Sequence, residues 1–429
     1  MKLAKLSLAA IVVAGLASSS FAADTLADAF KNGKVNGELR AWYWDHDGGT
    51  AATDASIFNT GLILGYVTDS FYGFNMGATM QSNFAPFADT EAKTLFDVDQ
   101  YGSGAVLSEA YIGYKMKNTT VKIGRQFITT PLVGGSGSRM VKESFEGATI
   151  VNTDIPATTL VAGYVSKYQA RTTGAFDGTL NGDSRPGEFV KAADFVGAPD
   201  AEFDGAYTAA VINKSITNLT LTAQYARVND YSPIAGVLAA AVGDVDVYYT
   251  EANYVLPMNS FKLGFDLNYR GSKTAAALDA AALEGTLLAA RVSLIDLAGF
   301  GAAFAYSTTD KSDGVVAGMG NGPTAYTAPL IDGGTKPFTN NTDAYKFSVS
   351  YDFSKVGVAG LKAGAEYFSI KQDDAGDVDY KGYGVNATYD VAAVKGLGLV
   401  AQYETLETKQ AAGATTDLDR IRFMANYKF

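Results

Sequence analysis

The chain has 429 residues and a formal net charge of −11, from 45 acidic and 34 basic side chains, which disfavours nucleic acid as a partner. It contains no cysteine, which excludes a disulfide framework and any thiol chemistry. Hydrophobic residues make up 47% of the chain and aromatic residues 12%, yet beyond residue 22 no uninterrupted apolar stretch of about 18 residues predicts a membrane helix.

The first 22 residues are predicted to be a cleavable signal peptide. Lys2 and Lys5 precede an apolar run over 6–17, and the small residues Ser20 and Ala22 stand where a signal peptidase cuts. The run is too short for a membrane helix of about 20 residues, and the cleavage-site chemistry disfavours an uncleaved anchor. We therefore expect the mature chain to begin at Ala23 and to be exported, either as a soluble protein or as a β-barrel.

Eighteen segments of alternating apolar and polar residues follow. They span 35–45, 57–67, 72–81, 109–116, 119–126, 144–153, 159–168, 206–213, 219–228, 245–256, 261–270, 287–295, 300–308, 344–353, 361–371, 380–390, 397–406 and 418–429. The number is even, and each segment is near the length of about 10 residues with which a tilted strand crosses a bilayer.

The spacers between these segments alternate in length. Short turns such as 117–118, 154–156, 257–259 and 296–298 are followed by longer polar stretches, of which 82–108, 169–205 and 309–343 are the longest. Short turns at one end and long loops at the other are typical of an outer-membrane barrel. The sequence thus predicts an all-β fold, a transmembrane antiparallel β-barrel of about 18 strands over 23–429.

Strand parity predicts which face each side chain takes. In 419–429 the apolar and polar residues alternate, with Ile421, Phe423, Ala425, Tyr427 and Phe429 on one face and Arg420, Arg422, Asn426 and Lys428 on the other. In 261–270 the charged and amide side chains share the inner face, so we expect a wet interior, because charges packed in a dry core are costly. Parity breaks at Glu251, where we expect a bulge.

The Gly-rich segment 127–143 is the third long-side loop. It lies in the run from Val121 to Arg171, which resembles the OprD family of outer-membrane porins. The opening after Ala22 and the terminal Phe429 also fit such porins, and Lys142 stands where the family often has proline. The positions that match are Gly124, Pro131, Leu132, Arg139, Phe145 and Gly147.

This resemblance implies a water-filled channel of 18 strands, assembled as a trimer, whose third loop folds into the barrel and makes the constriction. The implied constriction residues are Pro131, Leu132, Arg139, Lys142 and Glu143. The family lines its pore with basic side chains that guide carboxylate-bearing solutes. By inward parity the corresponding residues are Arg40, Lys122, Lys262, Arg270, Arg291, Arg420 and Arg422. Alternatively, some of them pair with Glu38, Glu109 or Asp266 and brace the wall.

Two further signals are local. The acidic loop with Asp373, Asp374, Asp377 and Asp379 offers oxygen ligands for calcium, although it lacks the EF-hand order and its closing Glu. Residues 25–30 predict either a short helix capped by Thr25 or a disordered leader.

The functional prediction is an outer-membrane porin of a Gram-negative bacterium, without cofactor or catalysis. It would pass ions and small hydrophilic solutes, with amino acids or small carboxylates as candidates, and its partners would be the lipid bilayer, lipopolysaccharide and two further copies of the chain. The first alternative is a plugged barrel acting as a surface structural or adhesion protein. The second is a barrel lipid hydrolase, which would depend on His46, the single histidine.

Overall fold

The computed structural model describes residues 23–50, 53–176, 182–234, 241–332, 334–373, 376–411 and 413–429. The predicted signal peptide and its cleavage site before Ala23 therefore fall outside the described residues or at their edge. Within the described residues, the fold is one closed sheet, with a small two-stranded sheet and short helices among its connections.

Eighteen long antiparallel strands make up the barrel in the described part of the chain. They are β1 Lys34–Asp47, β2 Ala55–Val67, β3 Phe74–Asn83, β4 Gly104–Met116, β5 Thr119–Gln126, β6 Ser144–Asn152, β7 Thr158–Gln169, β8 Gly205–Asn213, β9 Leu219–Pro233, β10 Gly243–Pro257, β11 Lys262–Thr274, β12 Thr286–Leu297, β13 Phe300–Thr309, β14 Thr342–Asp352, β15 Leu361–Gln372, β16 Val378–Asp390, β17 Leu397–Lys409 and β18 Thr415–Lys428.

The remaining elements are not part of the barrel wall. The helices are α1 Leu26–Lys31 and α2 Thr90–Leu95, with 3-10 turns at Thr173–Ala175, Ala276–Ala281, Lys336–Phe338 and Phe353–Val356. Two-residue strands occur at Phe189–Val190, Ala192–Ala193, Phe195–Val196, Ala201–Glu202 and Gly318–Met319. None of the helices in the described ranges is long and apolar enough to cross a membrane.

The barrel closes because β1 pairs with both β2 and β18. Glu38 stands opposite Lys428 at one end of the β1–β18 seam, and Asp47 opposite Asp419 at the other. Every other long strand pairs with its neighbours in the chain, so no strand edge is left open. The predicted barrel of 18 antiparallel strands is thereby confirmed.

The connections alternate between a short-turn end and a long-loop end. The long-loop end carries the loops that matter below, L2 (84–103), L3 (127–143), L4 (170–204) and L7 (310–341). The predicted short helix is present at the short-turn end, where the Thr25 side chain accepts a hydrogen bond from the Asp28 N–H at 3.1 Å. This cap satisfies one of the unpaired donors at the start of α1.

Aromatic pairs lie on the outer surface near both ends of the barrel. Near the long-loop end, Tyr164 and Tyr207 have ring centroids 4.9 Å apart, and the outward rings of Tyr225 and Tyr248 are 5.5 Å apart. Near the short-turn end, the rings of Phe74 and Tyr114 are 4.5 Å apart. Amphipathic rings at two levels with an aliphatic band between them are the arrangement of a barrel that spans a bilayer.

The interior is only partly wet, which corrects the expectation drawn from parity. Towards the long-loop end, the inward residues of β6 to β10 are apolar and buried against the loops, with Val228, Val245 and Val247 packed in one cluster with Leu278 and Met319. On β11 the polar side chains of Asp266, Asn268 and Arg270 are also buried. The polar row is tolerated because loop atoms and neighbouring side chains bond to it, not because water covers it.

The bulge expected at Glu251 is absent. The pairing of β10 with β9 and with β11 runs through Glu251 without a shift, and the register shifts of the described strands lie elsewhere, for example between Val228 and Tyr231. Val245, Val247, Tyr249 and Glu251 all face inward. The alternation of apolar and polar residues breaks at Glu251 because the inward face of β10 is dry near the long-loop end and polar near the short-turn end.

Candidate pore constriction

Loop L3 crosses the interior of the barrel. The Leu132 N–H donates to Oε1 of Gln224 on β9 at 3.0 Å, and Nη1 of Arg270 on β11 donates to the Pro131 carbonyl at 3.1 Å. Farther along the loop, Nη1 of Arg40 on β1 donates to the carbonyls of Arg139 and Met140 at 2.9 and 3.1 Å. Since these strands lie on different sides of the barrel, the loop spans the lumen.

Loop L7 also folds inward, and sequence reasoning missed it. Its backbone bonds directly to L3, with the Gly134 N–H donating to the Met319 carbonyl at 3.0 Å and the Gly322 N–H to the Gly134 carbonyl at 2.8 Å. On the opposite wall, the N–H groups of Ile331 and Asp332 donate to the Glu404 carboxylate on β17, each at 2.8 Å. The apolar, Gly-rich run over 314–322 was the available signal, because it differs from an ordinary acidic surface loop.

Glycines permit this backbone-to-backbone contact. A Cβ atom at Gly322 would lie 2.6 Å from the Gly134 carbonyl oxygen, and one at Gly318 would lie 2.5 Å from the Leu132 carbonyl oxygen. Gly318 also has a φ of +144°, which L side chains rarely adopt. Larger residues at these positions would push L7 away from L3.

The five residues assigned to the constriction take different positions along L3. Leu132 and Glu143 are fully buried, and Pro131 contributes its carbonyl to Arg270. Arg139 pairs with Asp99 of L2, with Nε 2.6 Å from Oδ2, and the Lys142 ammonium lies 4.3 Å from the centre of the Phe127 ring. L3 is thus anchored through Leu132 and Glu143, whereas the charges of Arg139 and Lys142 lie against Asp99 and the Phe127 ring.

A stack of cations and aromatic rings connects L3 to the β1–β18 seam. Two guanidinium groups contact the Trp44 ring, with Arg422 at 3.7 Å and Arg139 at 4.7 Å from its centre. Cations over an indole face are stabilised by the ring quadrupole. Burial disfavours the ionised form of Asp99, but the positive charges of Arg139 and Arg171 outweigh this effect and hold the pKa of the carboxyl below its ordinary range.

The predicted pore-lining cations fall into three groups. Arg40, Arg291 and Arg420 form ion pairs with Glu38, Asp266 and Asp332, at 2.7, 2.7 and 2.6 Å. These contacts match the bracing alternative for Arg40 and Arg291.

Arg270 and Arg422 are buried, and Arg270 donates to the carbonyls of Pro131, Ala317 and Thr324. Lys122 is partly buried and Lys262 is exposed at the short-turn end.

Arg270 is consequently an anchor for two loops. Its guanidinium donates to one carbonyl of L3 and two of L7, and it lies 4.6 Å from the centre of the Tyr249 ring. A guanidinium matches this role because it offers five N–H donors in one plane. A residue expected to face solutes therefore holds the loops that narrow the lumen.

A cavity of about 420 Å³ lies beneath L3 on the short-turn side. Lys122 of β5 and Lys142 of L3 both line it, together with Glu109 and Tyr111 of β4. The Lys122 ammonium is 4.2 Å from the centre of the Tyr111 ring. Glu109 accepts hydrogen bonds from the Thr79 hydroxyl at 2.7 Å and the Phe127 N–H at 3.3 Å. Lys34 and Asp69 line it as well, so three cations and two anions share a single chamber.

The acidic loop shows no calcium geometry in its described residues. Asp374 lies outside them, and across the described chain no three acidic or histidine side chains converge as they would around a metal ion. Asp379 belongs to β16, where it stands opposite Lys371 and Lys409. Those lysines are the nearest charged neighbours across the sheet.

The fold matches solved porin structures. OccAB2 of Acinetobacter baumannii superposes with a TM-score of 0.74 at 20% identity, covering 94% of this chain and 99% of that one. OccK9 (OpdG) of Pseudomonas aeruginosa gives a TM-score of 0.74 at 17% identity, with coverages of 94% and 100%. OpdO of the same organism gives 0.72 at 18% identity, with coverages of 94% and 98%. At these identities, the likeness concerns the fold.

The sequence itself decides the family. No curated protein shows significant sequence similarity to the chain. However, the profile described as "outer membrane porin, OprD family" matches residues 89–429, which is most of the chain. The chain belongs to the OprD family of outer membrane porins, and it forms a channel for ions and small hydrophilic solutes in the outer membrane of a Gram-negative bacterium.

Proposed function

We propose that the channel favours small organic anions, carboxylates and amino acids among them, and that the cavity beneath L3 makes the selection. The observation that supports this is the pairing state of Lys122 and Lys142, two of the three lysines that line the cavity. Within the described chain, neither Lys122 nor Lys142 has a carboxylate within ion-pairing distance, whereas Arg40, Arg291 and Arg420 each have one. Unpaired ammonium groups in a narrow chamber attract anions, because low-dielectric walls concentrate their field.

Glu109 extends the proposal to zwitterions. Its carboxylate lines the same cavity as the two lysines. An amino acid could place its carboxylate towards Lys122 and Lys142 and its ammonium group towards Glu109. Charges of opposite sign on facing surfaces orient a solute of matching polarity as it passes.

The reversal potential across a planar bilayer under a KCl gradient tests this proposal. We expect the purified channel to prefer anions, and the double variant Lys122→Ala/Lys142→Ala to shift the reversal potential towards cation preference. Lys214→Ala is the matched control, because Lys214 is exposed in the turn after β8. A cation-selective channel that the double variant leaves unchanged would contradict the proposal.

We also propose that the chain is exported by a signal peptide over 1–22, assembles as a homotrimer and contacts lipopolysaccharide around its long-loop end. The trimer rests on the family resemblance, and the lipopolysaccharide contact on the outward tyrosines near that end. Conductance steps in groups of three would support the trimer, and single steps would contradict it. N-terminal sequencing of protein from membranes tests the cleavage before Ala23.

A plugged barrel and a hydrolase are less well supported. The family is one of channels, and the cavity beneath L3 gives solutes room. His46 lies against the Phe96 ring, with centroids 4.8 Å apart, and its Nε2 is buried without a hydrogen-bond partner in the described residues. We propose that the chain has no catalytic role. Loss of a lipase activity in His46→Ala would contradict this.

A further inference from the structure

The Asn321 side chain of L7 joins two carboxylates from two other loops. Its Nδ2 donates to Oε1 of Glu143 in L3 at 2.8 Å and to Oδ2 of Asp194 in L4 at 2.5 Å. One amide group thus bridges L3 and L4 from L7. Because both carboxylates bond to the same nitrogen, they are at most two hydrogen-bond lengths apart.

The backbones of the three loops meet at the same place. Met319 of L7 forms a parallel bridge with Val133 of L3 and an antiparallel pair with Phe195 of L4. The Gly320 N–H donates to the Asp194 carbonyl at 2.8 Å. We call this meeting point, with Glu143, Asp194 and Asn321 at its centre, the three-loop junction.

The three-loop junction holds more negative than positive charge. Glu143 is fully buried, pairs with Arg171 at 2.9 Å and also accepts the N–H groups of Ser136 and Asn321. Asp194 accepts the Tyr168 hydroxyl at 2.8 Å. The titratable or charged groups that face Asp194 are Glu143 from L3, Arg171 and Asp200 from L4, and Tyr168 from the end of β7. Asp99 of L2 faces Arg171 from the other side.

We propose that the three-loop junction is a proton-linked latch of the pore, in which Asn321 is the positioning residue and Asp194 the group that takes up the proton. With Asp194 protonated, a single carboxylate charge faces Asn321, and L3, L4 and L7 stay together in the lumen. With Asp194 ionised, two like charges share one amide, and L7 separates from its partners. This proposal rests on the chain being a conducting pore.

The direction of the pH effect follows from the surroundings of Asp194. Burial, Glu143 and Asp200 raise its pKa to about 7, against the opposing influence of Arg171 and of the Tyr168 hydrogen bond. A closed junction therefore binds the proton more tightly than an open one. Its stabilisation is complete below the ordinary pKa of about 4 and is lost as the pH rises to about 7. Acid closes the latch, and neutral to alkaline solution opens it.

Single-channel recordings between pH 5 and pH 8 test the latch. For the wild type, we expect larger and noisier conductance as the pH rises, with the ratio of closed to open dwell times falling by up to about tenfold per pH unit for one proton. Asp194→Asn keeps the size of the side chain without its charge, so it should show the closed behaviour throughout. Asp279→Asn is the matched control, because Asp279 is exposed in another long-side loop.

Asn321→Ala gives a second and independent variant. It removes the bridge but leaves both carboxylates, so we expect the open behaviour at both ends of the pH range. A wild-type channel whose dwell times do not change with pH would overturn the proposal. So would an Asp194→Asn channel that responds as the wild type does. A folded protein that conducts at no pH would instead contradict the pore itself, which separates the two failures.

Discussion

The inner wall of the barrel differs between its two sides. From β6 to β10, the clustered inward residues near the long-loop end are phenylalanine, valine, alanine and tyrosine, packed dry against L3, L4 and L7. From β14 through β17, apolar residues such as Phe368 and Ile370 also pack at the long-loop end, but farther down, from β14 through β18 to β1, the inward residues include ion pairs, among them Lys346 with Glu366 at 3.6 Å and Arg40 with Glu38 at 2.7 Å. Both sides obey the same strand parity. The difference teaches that loop packing, rather than strand parity, decides which part of the inner wall is dry.

The largest effect is expected from placing a charge on the dry side. Val247→Asp would bury an unpaired carboxylate in the cluster that packs against the loops, at a cost of several kcal/mol. Movement of L4 and L7 away from the wall would expose the carboxylate to water and relieve that cost. We expect a lower folding yield in detergent and, in the protein that folds, a larger conductance. Ser350→Asp is the control, because Ser350 faces inward on β14 and is only partly buried. Equal folding of the two variants would contradict the distinction between the two sides.

The next largest effect concerns the anchor at Arg270. Arg270→Ala leaves three loop carbonyls without their donor, and we expect it to weaken the seating of L3 and L7 by about 3 kcal/mol. Trypsin should then cleave L7 after Lys311, which is exposed, faster than in the wild type. Lys262→Ala on the same strand is exposed and should leave the cleavage rate unchanged. Unchanged cleavage in Arg270→Ala would show that the apolar cluster alone seats the loops.

A smaller effect is expected on the charged side, and it should change selectivity without changing folding. Glu366→Gln leaves the Lys346 ammonium without its carboxylate, which stands 3.6 Å away in the wild type. The reversal potential in a salt gradient should move by a few millivolts towards anions. Asp279→Gln, far from the pore wall, should leave it in place. A shift towards cations would mean that this ion pair does not face the permeating solution.

The smallest effect concerns the contact of L7 with β18. Burial disfavours the ionised form of Asp332, yet the positive charges of Arg420 and Lys336 hold the pKa of this carboxyl below its ordinary range. A lowered pKa contributes stability above the ordinary value near 4 and loses it as the pH falls through the lowered value. Conductance should therefore change again in strong acid, below the range of the Asp194 latch. Asp332→Asn should abolish that acid step alone, and its persistence would locate the step elsewhere.

Much of the fold was predictable because strand pairing follows from a local pattern. The inward side of β3, with Asn75, Thr79 and Gln81, follows from alternation over a few residues, and so does the outward side with Phe74 and Met76. The strand bounds were less accurate at the long-loop end, where β9 continues to Pro233 and β10 begins at Gly243. Those extensions hold Asn229, Asp230 and Asp244, so they lack the alternating apolar face on which the prediction relied.

The site was predictable only in part. The side on which Arg40, Arg270 and Arg291 lie follows from their position in each strand, but their partners do not. Arg270 bonds to carbonyls about 50 and 140 positions away in the chain, and no local pattern records such contacts.

The sequence by itself determined the barrel, its compartment and the parity of its wall, because a period of two and a bilayer thickness are properties of short segments. The tertiary structure decided where the interior is dry, which cations are paired and which loops meet at Asn321. Those outcomes depend on contacts between L3, L4, L7 and opposite walls of the barrel. They exist only once the sheet has closed and brought residues far apart in the chain within hydrogen-bond distance.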